Sequence, residues 1–161
     1  MNFLQNIKNY VTGAQRSFRV GSDWEKDTKK IIFPSNGYDL LHETPTFKQN
    51  NNRFIESSLN PDFKFRDKKT KKEFWVECKF RSSLMNGKIE WSKPKQFERY
   101  KTLCLKEPVF VCLAFDHKIN NDELYYLIPL TKINYTGLYP SFIKNFEIGL
   151  SPMVSNVLWK L

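Results

Sequence analysis

Polar and apolar side chains alternate along two neighbouring segments near the middle of the chain. The first segment, DFKFR, covers 62–66, the second, EFWVECKFR, covers 73–81, and polar residues separate them. A period of two residues is typical of a strand with one buried face. The segments therefore predict a β-hairpin. Its apolar face carries Phe74, Val76, Cys78 and Phe80, and its polar face carries Glu73, Trp75, Glu77, Lys79 and Arg81.

Apolar residues at helical spacing precede and follow this hairpin. Residues 1–34 are predicted to be mainly helical, with a short helix followed by a longer one that Ser22 caps. A further helix is predicted over 93–106, where Ser92 serves as the cap and Pro94 suits the first turn.

The remaining apolar runs predict the other elements of a single α/β domain over 1–161. Because the chain shows no repeat and no linker, one domain is the simplest interpretation. The order of elements indicates a mixed central sheet flanked by helices. Strands are predicted near 38–41, 108–115, 123–130 and 156–160, a short helix near 141–146, and a long loop over 44–60.

Composition narrows the class of protein. Of 161 residues, 40% are apolar and 16% aromatic, which is enough to build a packed core. No apolar run approaches the roughly 18 residues of a membrane span, and the N-terminus lacks the apolar core of a secretory signal. Three cysteines without a C-x-x-C pattern indicate reduced thiols, so we expect a cytoplasmic protein with no membrane segment.

Charge adds a candidate partner. Lys and Arg number 26 against 17 Asp and Glu, a net charge of +9. Residues 64–101 carry 13 basic and 5 acidic side chains, or +8 of that total. Such an excess favours a polyanion: nucleic acid first, and an anionic membrane surface second. A generic basic surface is the alternative.

The hairpin register makes a sharper statement about chemistry. If the turn is centred on Lys69-Thr70, Asp62 faces Glu77, and Lys79 lies on the same face. Slipping the register by one residue would place Asp62 among the apolar side chains. Directly opposed residues have Cβ atoms about 4.5–5.5 Å apart. The register therefore predicts two neighbouring carboxylates with a lysine beside them.

Two carboxylates this close repel each other when both are ionised. A divalent ion resolves the repulsion, and hard oxygen ligands suit Mg²⁺ or Mn²⁺. With Lys79 alongside, the group has what metal-assisted phosphodiester hydrolysis needs. The +8 carried by residues 64–101 is expected to surround this site. The alternative is a solvated face with cross-strand ion pairs, such as one between Lys79 and Asp62.

These residues also resemble a known family. Pro61-Asp62, fourteen residues, and then Glu77-Cys78-Lys79 resemble the PD-(D/E)XK nuclease motif. Gln96-x-x-x-Tyr100 is similar to the Q-x-x-x-Y motif of its RecB-type branch, and Glu25 resembles an extra helical acid of Holliday junction resolvases. The resemblance covers about 22–130, leaving 131–161 as a C-terminal extension. It implies an αβββαβ restriction endonuclease-like core and a Mg²⁺-dependent deoxyribonuclease.

The resemblance also implies roles for single residues. Asp62, Glu77 and the backbone carbonyl of Cys78 would ligate the metal, and Lys79 would position water or stabilise charge. Glu25 would orient the outer shell of the metal or bind a second ion, and Gln96 would orient Lys79 or touch a phosphate. Trp75 could stack on a nucleotide or lie under a neighbouring helix, and Tyr100 could support Gln96 or pack in the core. The predicted nucleic-acid contacts are Lys64, Arg66, Trp75, Arg81, Lys95, Arg99 and Tyr100.

Three functions remain open at this point. The first is an endonuclease acting on DNA in repair, recombination or restriction. The second is a nucleic-acid-binding module that does not cleave, and the third is a nuclease-fold subunit of a larger complex. A homodimer or a partner subunit is compatible with each of them, and the loop over 44–60 is where we expect substrate selection.

Overall fold

The computed structural model describes residues 21–45, 59–117 and 122–161. The helices are α1 (21–27, continued by a π-helical turn at Thr28–Ile32), α2 (Pro94–Cys104), α3 (Pro140–Ile143) and α4 (Ser155–Leu158). The strands are β1 (Tyr38–Glu43), β2 (Phe63–Asp67), β3 (Glu73–Arg81), β4 (Ile89–Glu90), β5 (Val109–His117), β6 (Asp122–Pro129), β7 (Gly137–Leu138) and β8 (Glu147–Ile148). Turns of 3₁₀ helix lie at Leu130–Lys132 and Lys144–Phe146.

A mixed sheet forms the centre of the fold. Within the described residues it has six strands in the order β1-β2-β3-β5-β6-β8. Neighbouring strands are antiparallel except β3 and β5, which run parallel and are connected by α2. Parallel neighbours need such a crossover. Strands β4 and β7 form a separate antiparallel ribbon. The predicted α/β class and the αβββαβ order of the core are confirmed.

The predicted hairpin register is confirmed, and its turn is longer than predicted. Arg66 pairs with Glu73 and Lys64 with Trp75. The loop contains the four residues 68–71 rather than two, because the Asp67 N–H donates to the Lys72 carbonyl at 2.9 Å. Lys71 has a positive φ of 63°, which turns the chain back into β3. The longer loop keeps the same centre, so the pairs from Arg66–Glu73 to Phe63–Val76 retain the predicted register.

Both faces of the sheet are covered. One face packs against α1 and the C-terminal segment, residues 153–161. The cluster between them is rich in aromatic side chains and includes Phe74, Val76 and Cys78. The other face packs against α2, α3 and the β4–β7 ribbon. Helix α2 lies over the face of β3 that carries Glu77. This face is therefore not the solvated surface that the alternative interpretation expected.

The C-terminal segment closes the fold around a buried aspartate. Asp67 is one of the polar residues that separate the two alternating segments, yet it is only 1% exposed at the end of β2. Its carboxylate accepts hydrogen bonds from Ser155 Oγ and Trp159 Nε1, as well as from two donors in the hairpin loop. Burial alone raises the pKa of Asp67, but these hydrogen bonds outweigh it and lower the pKa to about 2.

Three local predictions were wrong. Ser22 does not cap α1, because the chain is already helical at Gly21. Lys93 rather than Ser92 is the N-cap of α2, and no side chain caps that end. The strand predicted near 156–160 is the helix α4, a segment too short for a helical period to show in the sequence.

Some predictions fall wholly or partly outside the described ranges. The short first helix lies there, as does most of the 44–60 loop. The three cysteines are within the described residues and are free thiols. No helix in the described ranges is long and apolar enough to cross a lipid bilayer.

Candidate active site

Glu77 is the centre of the candidate site. It lies in the middle of β3 and is 2% exposed. Its Oε2 accepts a hydrogen bond from the Tyr100 hydroxyl at 2.7 Å, and its Oε1 accepts one from Gln96 Nε2 at 3.0 Å. Lys79, two residues along the same strand, forms a short ion pair with Oε1. Helix α2 and strand β3 together therefore hold this carboxylate in one position.

The amide of Gln96 has a fixed orientation. Its Nε2 donates to Glu77 and also to the Tyr100 hydroxyl at 3.1 Å, while its Oε1 accepts from Ser92 Oγ at 3.0 Å. Residues four apart lie on one side of a helix, and Phe97 and Tyr100 turn that side toward the sheet. Sequence reasoning treated Ser92 only as a cap and missed this contact. The 92–96–100 spacing was the signal that could have revealed it.

Asp62 lies beside Glu77, just before β2. Its Oδ2 accepts a hydrogen bond from the N–H of Cys78 at 2.7 Å. Asp62 therefore contacts the backbone directly after Glu77. Burial raises the pKa of Asp62 above its usual range, and the Glu77 and Glu25 carboxylates raise it further. The hydrogen bond from the Cys78 N–H and the charge of Lys79 lower the pKa of Asp62, but by less than burial and the two carboxylates raise it. The register had predicted this juxtaposition.

Glu25 contributes a third carboxylate, from α1. Its pKa is raised by burial first, then by the negative charges of Glu77 and Glu43, and is lowered by Lys79 and Lys29. Glu25 therefore acts on the other two carboxylates through its charge. In the described ranges, no three acidic, histidine or cysteine side chains are close enough together to hold an ion by themselves.

The donor set fits a hard divalent cation. Two carboxylates and a backbone carbonyl are oxygen ligands, and Mg²⁺ in proteins often keeps several waters and takes one or two carboxylates. Burial first, and then the negative charges of neighbouring carboxylates, raise the pKa values of Asp62 and Glu25. A cation beside Asp62 and Glu77 would compensate these negative charges.

Two of the seven predicted nucleic-acid contacts are core residues, and this corrects their assignment. Trp75 is 7% exposed and donates from Nε1 to Glu107 Oε2 at 2.6 Å. Tyr100 is 2% exposed, and its hydroxyl is used by Glu77. Neither ring is available to stack on a base, and the alternative positions that the sequence allowed for them, under a helix and in the core, are the observed ones.

Three predicted cationic contacts are engaged within the protein. Lys64 Nζ pairs with Glu107 at 2.6 Å and with Glu73 at 2.9 Å, and Arg66 also pairs with Glu73. The Arg81 guanidinium donates to three backbone carbonyls, those of Phe80, Glu90 and Trp91. Arg81 thus connects the end of β3 to β4 and to the residue that follows it, shortly before α2 begins. Contact of these three side chains with nucleic acid stays a prediction.

The basic charge is less concentrated at the site than the sequence indicated. The cationic loop at 68–71 closes the end of the hairpin opposite Asp62. At about 3.3 Å per residue, the five residues of β2 separate the two ends by roughly 17 Å. The prediction that the whole +8 surrounds the site is therefore wrong, because part of that charge belongs to the distant loop.

A basic cleft adjoins Glu77. It has a volume of about 590 Å³. Five cationic residues and one carboxylate line it, together with three uncharged residues: Lys79, Arg81, Lys93, Lys95, Arg99, Glu90, Trp91, Ser92 and Gln96. Lys79 and Gln96 contact Glu77 as well, so the cleft is continuous with the candidate site. Lys95 and Arg99, both predicted as nucleic-acid contacts, lie at its wall with exposed side chains.

Comparison with known proteins identifies the fold. A solved structure of Hjc, a Holliday junction resolvase from the archaeal hyperthermophile Archaeoglobus fulgidus, is similar to this chain with a TM-score of 0.55. The similarity covers 88% of this chain and 97% of that chain, at 14% sequence identity. No protein-family model and no curated protein sequence matches. The chain therefore has a restriction endonuclease-like fold, as the resemblance of its motifs implied.

Proposed function

We propose that this protein is a metal-dependent nuclease that hydrolyses DNA phosphodiester bonds, acting as an endonuclease in repair, recombination or restriction. The observation that carries the proposal is the group formed by Asp62, Glu77 and Lys79, with Glu77 positioned by Gln96 and Tyr100. An ordinary surface hairpin does not need a 2%-exposed carboxylate with three polar partners. That a protein of the same fold is a Holliday junction resolvase favours recombination among the three roles.

The residues of the site have distinct tasks in this proposal. Asp62, Glu77 and the Cys78 carbonyl would hold Mg²⁺ or Mn²⁺, which when bound supplies a Lewis acid and a more acidic water. Lys79 places a positive charge beside Glu77, where it stabilises the negative charge that develops on phosphate oxygens. Gln96 and Tyr100 are positioning residues, since each acts through Glu77. Glu25 strengthens the local negative potential that attracts a cation.

A second candidate is a nucleic-acid-binding module that does not cleave, alone or as a subunit of a larger complex. One observation favours it. Both carboxylate oxygens of Glu77 already accept hydrogen bonds or ion pairs from protein groups. A metal ion would have to share or displace Lys79 at Oε1. The two candidates therefore differ in whether Glu77 exchanges its lysine partner for a cation.

Incubation with labelled nucleic acid separates the two candidates. The substrates are linear duplex, circular, single-stranded and branched DNA, with a matched RNA, each in Mg²⁺, Mn²⁺ or EDTA. We expect cleavage of DNA with metal and none in EDTA, with circular DNA cut because an endonuclease needs no end. Binding of every substrate without cleavage by any metal would favour the non-cleaving module.

A direct metal measurement complements the cleavage assay. Titration of Mn²⁺ into wild-type protein and into Asp62→Asn should show a binding isotherm that the variant loses. Asp39→Asn is the matched control, because this aspartate lies on the neighbouring strand β1 with its side chain 45% exposed. Equal isotherms for all three proteins would place the metal elsewhere.

A further inference from the structure

The basic cleft brings several cations without acidic partners together at one place. Among the described residues, no carboxylate forms an ion pair with Lys93, Lys95 or Arg99. Lys101, on the same helix, pairs with Glu98 at 3.0 Å and lies over the Phe97 ring. Like charges brought together without counter-charges repel one another, so they mark a place where an anion is expected.

The walls of the cleft are rigid on one side and adaptable on the other. Arg81 is half-buried, and its donors are used by backbone carbonyls, so it supplies positive charge at a fixed position. Lys95 and Arg99 are one helical turn apart and exposed, which leaves their side chains free to close around a ligand. The one carboxylate at the wall, Glu90, leaves the cleft with a clear positive excess.

The position of the cleft relates it to the candidate active site. Lys79 and Gln96 line the cleft and also contact Glu77. A volume of about 590 Å³ is within the usual range of roughly 300–1,000 Å³ for small-ligand sites, so it has room for a nucleotide unit. A nucleic-acid strand with one phosphate at the carboxylates would thus continue directly into the cleft.

We propose that the basic cleft binds a second phosphate of the nucleic-acid strand, adjacent to the phosphate at Asp62 and Glu77, through Lys93, Lys95 and Arg99. The inference rests on the proposed function, because it takes the carboxylate pair as the place of cleavage. The phosphate is either an internal phosphodiester or a terminal monophosphate. These share the same recognition by cationic side chains, so the experiment includes an arm that separates them.

The test compares two double variants of equal charge. Lys95→Ala/Arg99→Ala removes two cations from the cleft, and Lys101→Ala/Lys106→Ala removes two exposed cations that do not line it. Binding of a fluorescent single-stranded oligonucleotide is measured in EDTA at several salt concentrations. We expect the cleft variant to bind at least about tenfold more weakly, and its log–log salt slope to flatten by about 0.7 for each phosphate that it no longer neutralises.

The control variant should lose less than about threefold in affinity and keep the wild-type salt slope. Equal losses in the two variants would overturn the inference, since they would show a diffuse basic surface. Unchanged binding in the cleft variant would overturn it as well. Because the four side chains are exposed, both variants should unfold at the wild-type denaturant concentration, which shows that any loss arises from binding.

A further arm identifies the kind of phosphate. Oligonucleotides with a terminal phosphate at either end, with hydroxyls at both ends, and in circular form are compared in wild type and in the cleft variant. A terminal monophosphate predicts a preference for phosphorylated ends that the cleft variant loses. An internal phosphodiester predicts equal loss for all forms, circles included.

Failure of this inference and failure of the proposed function have different signatures. Binding in EDTA does not depend on cleavage. If wild type cuts no substrate but the cleft variant still loses affinity, the proposed nuclease function fails and the cleft assignment stands. If wild type cuts DNA but the two double variants bind alike, the cleft assignment fails and the nuclease function stands.

Discussion

Asp62 and Asp67 occupy the two ends of one short strand in opposite electrostatic surroundings. Asp67, at the turn end of β2, accepts hydrogen bonds from Ser155, Trp159, Thr70 and the N–H of Lys69, and its pKa falls to about 2. Asp62, at the other end, accepts a hydrogen bond from the Cys78 N–H and faces the Glu77 and Glu25 carboxylates. Burial and these negative charges raise its pKa.

The difference teaches how to tell a structural carboxylate from one that awaits a ligand. Burial penalises the charged form of both groups. At Asp67 the protein supplies enough donors to overcome that penalty, and the group stabilises the fold. At Asp62 it adds more negative charge, so the group is compensated only when a cation or a proton arrives.

The largest expected effect comes from removing the charge of Asp62, which the surrounding protein groups do not compensate. Asp62→Asn should reduce cleavage in Mg²⁺ by about a thousandfold or more, because the ion loses a ligand. Binding of DNA should be retained or tightened, since a negative charge is lost. Cleavage rate and affinity are measured on one substrate, with Asp39→Asn as the control. Wild-type cleavage by Asp62→Asn would show that the site is misassigned.

Glu77→Gln should also lose cleavage, but it is the less clean variant. Glu77 is buried among three polar partners, so its replacement changes packing and hydrogen bonding as well as charge. Its unfolding free energy must therefore be measured beside its activity. The alternation of β3 had placed this side chain on the polar face of the hairpin, away from the core.

The second effect concerns protein stability and comes from removing Asp67, whose charge is compensated by hydrogen bonds. Asp67→Ala should lower the free energy of unfolding by about 2–4 kcal/mol, because the partly buried donors of Ser155 and Trp159 lose their acceptor. Denaturant titration measures the loss. Asp39→Ala removes a half-exposed side chain and its solvent-accessible ion pair with Lys68, and should stay within about 0.5 kcal/mol of wild type. A similarly small change for Asp67→Ala would mean that its hydrogen bonds contribute nothing net.

The pH dependence of stability should have opposite signs at the two ends. The lowered pKa of Asp67 gives stability that is present above its unfolded value of about 3.9 and is lost as pH falls toward 2. The raised pKa of Asp62 gives stability that is present below about 3.9 and is lost as pH rises through its folded value. Each contributes at most about 1.4 kcal/mol per pH unit.

Metal-free wild type and Asp62→Asn provide the measurement at the uncompensated end. The stability of Asp62→Asn relative to wild type should increase from pH 4 upward. The stability of Asp67→Asn relative to wild type should instead recover as pH falls below 4. Parallel curves for the three proteins across the whole range would refute the comparison.

The smallest expected effect tests how firmly Glu77 must be held. Ser92→Ala removes the hydrogen bond that orients the Gln96 amide, and Gln96→Ala removes the amide itself. Removal of such outer partners at metal sites typically costs about 10–100-fold in metal affinity or activity. We expect Gln96→Ala within that range and Ser92→Ala below it. Mn²⁺ affinity should fall alongside the rate, whereas a merely structural role would leave metal affinity unchanged.

The hairpin and the candidate carboxylates could be predicted from the sequence because both depend on local periodicity. Alternation at period two and a turn centred on Lys69-Thr70 determine which residues face each other, whatever the length of the loop. Gln96 and Tyr100 followed from helical spacing in the same way. These patterns extend over a few residues, and no contact among the described residues overrides them.

What the sequence could not show depends on distant partners. Asp67 reads as a turn residue until Ser155 and Trp159, 88 and 92 positions later, fold against it. A charge count cannot reveal that Lys64 is paired with Glu107, or that the guanidinium of Arg81 is used by backbone carbonyls. Nor can a charge count reveal that Lys93, Lys95 and Arg99 line one cleft.

The hydrogen bonds of Asp67 also constrain the order of events during synthesis. The β2–β3 hairpin is complete once residue 81 has left the ribosome, but its buried carboxylate then lacks two of its four donors. Those two donors arrive only when Ser155 and Trp159 emerge. Because contacts between distant residues slow folding, the nascent chain should stay sensitive to proteases until Trp159 has emerged, and should then become resistant in one step.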